Sequence, residues 1–169
     1  MSTICKAPPQ FGWIRGEFGA ARVSLDFDRR QHTVVGESHG DEVRLSTDHE
    51  SGQIRGQALG AAVELSQDWS PRRVSLSGWA QSARYQITID EDQRSAQGQA
   101  GAEKIDLTFH REQGWIRGSL GGASVDLRLS REGQLSGQLG EARVRAEMIN
   151  LDLGDFLKHL YLVHPQDQA

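Results

Sequence analysis

The chain has 169 residues, 37% of them apolar, and carries 23 acidic against 19 basic side chains. That is the size and composition of one domain with a real core, and the slight acidic excess, with both signs interspersed, excludes the basic footprint of a nucleic-acid binder. A single cysteine, Cys5, rules out an intrachain disulfide and suits a reducing compartment.

Residues 1–11 read as an N-terminal tail. The opening "MSTICKAPPQ" has no apolar h-region, and nowhere does an apolar run approach the length of a spanning helix, so the expectation is a cytoplasmic protein without a membrane span.

From residue 12 to residue 150 one pattern recurs. "GWIRG" stands at 12–16 and again at 114–118, and its second glycine anchors a sevenfold repeat at Gly16, Gly36, Gly56, Gly78, Gly98, Gly118 and Gly137. Seven residues after each anchor stand Val23, Val43, Val63, Tyr85, Ile105, Val125 and Val144. Two residues further on come Leu25, Leu45, Leu65, Ile87, Leu107, Leu127 and Ala146. The positions between them are mostly charged or hydroxylic, as in Arg22, Ser24 and Asp26. Alternation with period 2 marks strands with one buried and one wet face.

Each copy holds two such strands, "WIRGEF" and "RVSLDF" in the first, with a glycine between them where a hairpin needs positive φ. A hairpin loop of about four residues sets Phe18 opposite Val23, Gly16 opposite Leu25 and Ile14 opposite Phe27, and the next connection sets Leu25 beside Gly36. On that register Gly and a branched aliphatic alternate across the inner face, which lets the sheet curl. One copy is two residues longer, through "QDWSPRR", and Pro71 assigns the excess to a longer loop.

The predicted fold is therefore all-β: about fourteen short antiparallel strands in an up-and-down meander, closed into a barrel or flattened sandwich. A β-solenoid with one coil per copy is the alternative. A fourteen-strand interior is too wide for its own side chains to fill. Residues 151–169 offer a filler: Leu153, Phe156, Leu157, Leu160 and Tyr161 recur at helical spacing, with Asp155 near the start. This segment either plugs the sheet or docks a partner, and those five side chains are the candidate partner-binding residues.

No catalytic constellation emerges. His32, His49 and His110 fall in connections that the meander gathers at one end beside Asp28, Asp48, Asp68, Asp90, Asp92 and Glu112, but no fixed metal-ligand spacing is present. His159 and His164 read as a solvated helix face and His39 as an exposed loop residue. Departures from the repeat look evenly spread, without the local break of an active site. Trp13 and Trp115, with Arg15, Arg55 and Arg117, read as outer-face residues, the arginines pairing across strands with Glu17 or Asp26 under partial shielding by the rings; a protein-binding surface is the alternative, with Trp69 and Trp79 as further surface candidates. The functional expectation is a non-enzymatic β-repeat module for assembly or protein interaction, without cofactor or bound metal. The alternative is a carrier holding an apolar small molecule inside the closed sheet, and an enzyme comes third.

Overall fold

The computed structural model describes residues 10–164; Cys5, most of the expected N-terminal tail and residues 165–169 lie outside that range. Seven hairpins succeed one another: β1 (Phe11–Phe18) with β2 (Ala21–Asp28), β3 (Thr33–Ser38) with β4 (Asp41–Thr47), β5 (Gln53–Ala58) with β6 (Ala61–Ser70), and β7 (Arg73–Ala80) with β8 (Ala83–Asp90). They continue with β9 (Ser95–Ala100) and β10 (Glu103–His110), β11 (Trp115–Leu120) and β12 (Ala123–Leu129), and β13 (Gln134–Leu139) and β14 (Ala142–Ile149). Every strand pairs antiparallel with its neighbours in sequence, and β1 pairs with β14 to close the barrel. Hydrogen bonding between consecutive antiparallel strands replaces the solenoid alternative.

The apolar ladders face inward. Val23, Val43, Ile87, Ile116 and Leu127 are all fully buried, while the intervening outer positions carry charged and polar side chains such as Arg22, Asp26, Arg44 and Lys104. A lipid-spanning barrel has the opposite arrangement, an apolar outer band. Among the described residues no helix is long and apolar enough to cross a membrane.

All seven hairpins turn in two residues, not four. The register therefore differs from expectation by two: Phe18 faces Ala21, Gly16 faces Val23 and Ile14 faces Leu25, although Leu25 does lie beside Gly36. Because the shift is even, every side chain keeps its face. The tight turns are made with residues that do not announce them. Leu59 and the pair Gln81–Ser82 hold positive φ alongside the expected glycines, as a two-residue turn that matches the strand twist requires.

The anchor glycines do more than leave room for a neighbour. A Cβ on Gly36 would lie 1.9 Å from Ser24 O, and one on Gly56 would lie 1.9 Å from Arg44 O. With φ of 152° and 150° these residues also occupy backbone space that L side chains rarely enter. The neighbouring strand's backbone fills the position of the missing side chain, so the sheet bends sharply there.

The two extra residues of "QDWSPRR" do not lengthen a loop. β6 runs for ten residues and pairs Trp69 with Val74 and Ser70 with Arg73, leaving only Pro71 and Arg72 as the turn. The other connections at that end span four or five residues. The β6–β7 hairpin thus carries the sheet further at the long-connection end of the barrel.

After β14 the chain enters the lumen as α1 (Leu153–Lys158) and α2 (Leu160–Val163). Asp152 begins α1 with a reciprocal cap: its carboxylate accepts the Asp155 N–H at 2.8 Å, and Asp155 Oδ2 accepts the Asp152 N–H at 3.1 Å. At this end Arg111 reaches Asp152 at 2.7 Å and Arg29 reaches Asp155 at 3.3 Å, both from long connections. At the other end Ser38 Oγ donates to Leu162 O at 2.5 Å and Gln81 Nε2 donates to Tyr161 O at 2.9 Å, beside the two-residue turns. The tail therefore threads the barrel from one mouth to the other.

Candidate functional site

The five side chains expected to bind a partner lie inside. Leu153, Phe156, Leu157, Leu160 and Tyr161 are all buried in the single core cluster, with Phe156 stacked at 6.4 Å on Phe18 and Tyr161 edge-on at 5.3 Å to Tyr85. A barrel this wide needs a filler, and its own tail supplies one, so these residues do not form an exposed docking face. Burial raises the acid range of both Tyr85 and Tyr161, keeping them neutral phenols. Two pockets beside the plug measure only about 10 Å³ each. That is about the room for one water.

The plug leaves one part of the long-connection mouth uncovered. Eleven residues after each anchor, the inward row reads Phe27, Thr47, Gln67, Ile89, Phe109, Leu129 and Met148. Ile89, Phe109 and Met148 are buried, whereas Thr47 and Gln67 remain partly exposed. On the long hairpin Trp69 continues the inward parity of Val63 and Leu65, yet it is 46% exposed. The result is a cleft of about 470 Å³ bounded by β2 to β7 and the inner helix, lined among others by Phe27, Val34, Trp69, Val74, Leu151 and His159. Its size falls in the range of small-molecule sites. Departures from the repeat are thus concentrated in the second and third copies, which corrects the reading that they are evenly spread. The polar pair in the eleventh-residue row was the available signal.

Three rings come together at this rim, His32 and His49 from successive connections and Trp69 from the end of β6. His32 and His49 stack with centroids 4.9 Å apart and planes 11° from parallel, and Trp69 lies next to His49 at 6.3 Å. His110 lies elsewhere, against Trp115 at 5.9 Å. The geometry of the stacked pair bears on metal binding, because imidazole lone pairs lie in the ring plane and two nearly parallel planes do not converge on one ion. Among the described residues no group of three or more His, Cys, Asp or Glu is arranged to hold a metal.

His159 does not occupy a solvated helix face. Its ring meets the Phe27 edge at 4.8 Å in the cleft wall, and burial pushes its imidazole down to about 4. Its Nδ1 lies 2.8 Å from Asp155 O. A carbonyl only accepts, so Nδ1 carries the proton and Nε2 remains an acceptor. The charged groups nearby satisfy one another: Asp155 takes both Arg29 and Lys158, and Asp28 accepts the backbone N–H groups of Gln31 and Arg30, which hold its carboxyl below the usual range.

At the opposite mouth Ser38 and His39 form a serine–imidazole contact, Oγ to Nδ1 at 2.9 Å. Ser38 is fully buried and its proton goes to Leu162 O, so it accepts from His39 and is not poised as a nucleophile. His39 is partly buried, which together with nearby His164 keeps its imidazole below the usual range. His164 Nε2 lies 3.1 Å from Glu103, tying the tail to the rim.

On the outer wall the repeated motif makes two equivalent contacts. Arg15 lies 4.4 Å over the Trp13 ring and 3.1 Å from Asp26, and Arg117 lies 4.6 Å over Trp115 and 3.6 Å from Asp126. Each cation stacks on an indole and pairs across the strand. Trp79, also outward, is 52% exposed. Comparison with protein families, curated proteins and solved structures gave no match to this chain.

Proposed function

We propose that the protein works by binding rather than by catalysis, as a rigid, self-filled barrel whose recognition site is the cleft at its long-connection mouth. The supporting observation is Trp69, an inward-register indole kept 46% exposed on the longest strand of the barrel. A core position that is apolar, large and uncovered costs stability unless something is meant to cover it. The mutual pairing of the charges around the cleft, and the commitment of the Ser38 proton to a backbone carbonyl, favour binding over turnover.

The test is a fragment screen read by methyl resonances. Saturable shifts gathered on Val34, Val74 and Leu151, and lost in a Thr47→Trp variant that fills the cleft, support the proposal. A screen whose hits avoid the mouth, or persist in the filled variant, refutes it.

A second reading is an assembly module acting through the outer wall, favoured by Trp79 at 52% exposure on β7. Light scattering of the wild type and of Trp79→Ser separates it: an oligomer that dissolves in the variant supports it, and a monomer at all concentrations ends it.

A further inference from the structure

We propose that the mouth cleft takes a small, neutral, planar heteroaromatic molecule that stacks on Trp69 and donates an N–H or O–H hydrogen bond to His159 Nε2. This rests on the proposed binding role of the cleft and specifies the chemistry of its occupant.

Four observations carry it. The cleft volume of about 470 Å³ suits a small molecule rather than the face of a folded partner. The indole stands beside a stacked pair, His32 on His49, from which it is tilted by 31° at 6.3 Å, and its 46% exposure leaves ring surface on which a flat ligand can stack with an offset. Apolar walls at Phe27, Val34 and Val74 favour an unsaturated, weakly hydrated body. His159 offers a single directional acceptor, because its other ring nitrogen is bound to Asp155 O. Its burial keeps the ring neutral through the physiological range, so the acceptor is present whenever the ligand is.

Neutrality of the ligand stems from the charges already matched. Asp155 is shared by Arg29 and Lys158, and Asp28 is held by backbone N–H groups. A charged ligand would have to break one of these pairings, whereas a neutral one leaves them intact.

The experiment uses the full chain at pH 7.5 and three probes: benzimidazole, which is planar with one N–H donor; 1-methylbenzimidazole, which is planar without it; and methyl glucoside, which is neither flat nor aromatic. Protein methyl resonances at Val34, Val74 and Leu151 report occupancy of the mouth. The expected result is saturable binding of benzimidazole, about tenfold weaker binding of the methylated probe, as for one hydrogen bond left unmade, and loss of both in Trp69→Ala. The comparison of the two planar probes needs no variant, so it stands even if Trp69→Ala unfolds. Equal binding of the two planar probes overturns the hydrogen bond to His159. Binding of methyl glucoside in place of the planar probes overturns the ligand class while leaving the cleft a binding site. No saturable shift at the mouth with any probe overturns both.

Discussion

Leu157 offers the sharpest test of the threaded tail. It is fully buried in α1, inside a ring of strands hydrogen-bonded to one another all the way round. Replacing a buried Leu by Ala costs about 2–5 kcal/mol, the upper part applying where the surroundings cannot collapse into the hole. A closed ring resists collapse, so Leu157→Ala should cost about 3–5 kcal/mol. For a chain of this length each kcal/mol shifts the unfolding midpoint by roughly 2–4 °C, which gives a fall of about 6–20 °C by calorimetry. The limiting case is a chain ending at residue 150. It loses Leu153, Phe156, Leu157, Leu160, Tyr161, Leu162 and Val163, all buried. At about 1.5–3 kcal/mol for each buried side chain, the loss is comparable to the whole stability of an ordinary domain, about 5–15 kcal/mol, and the shortened chain should show no cooperative transition. A Leu157→Ala shift no larger than that of the exposed-site control Lys104→Ala, or a sharp transition in the shortened chain, would refute the argument that the tail fills the lumen.

Gly56→Ala places a methyl 1.9 Å from Arg44 O at a φ of 150°; unfolding in urea should show a loss of at least about 1–3 kcal/mol from backbone strain alone, and an unchanged midpoint contradicts the bent-sheet account. Ser82, the exposed half of a two-residue turn, holds a φ of 62°, so Ser82→Gly should raise the thermal midpoint by a few degrees, about 1 kcal/mol of relieved strain. Stability should also fall on acidification. Because burial holds His159 at about 4 against 6.5 in the unfolded chain, the unfolded state binds the extra proton between those values. The contribution is complete above pH 6.5 and lost as the pH drops toward 4, by up to about 3 kcal/mol, with His39 acting in the same direction. Urea midpoints that stay flat or rise from about pH 7 to 4.5 contradict this burial.

The period-2 ladder from Val23 to Val144 made the strands, their inner face and their antiparallel order legible without coordinates, because burial of one face imposes the same spacing on every copy. The plug was legible too, since Leu153, Phe156, Leu157 and Leu160 break the strand period and replace it with helical spacing. Turn length was not. Nothing about Leu59 or Gln81–Ser82 signals positive φ, and the strand twist imposes it on them through tertiary pairing. The destiny of "QDWSPRR" was misread for a related reason: Pro71 forbids a ladder bond only at its own nitrogen, so it sits at the hairpin tip while the residues around it extend the strands. The cleft lay in plain view as Thr47 and Gln67 at two positions of an otherwise apolar row. Their significance came only with closure, which shows that they are neighbours and that the helix does not cover them. The role of His159 depended on the path of the tail, which no local pattern encodes.

A chain that passes through its own ring resembles a knotted cord in one respect, the order in which it is tied. The seam joins β1 to β14, segments more than a hundred residues apart, and such distant pairings form late. The ribbon of hairpins therefore has to wrap around the tail, with the seam sealing last, or else the terminus has to be fed through a finished hoop past Phe156 and Tyr161. Wrapping tolerates a bulky cargo fused behind residue 169 and feeding does not, so refolding with such a cargo attached would reveal how this molecule is tied.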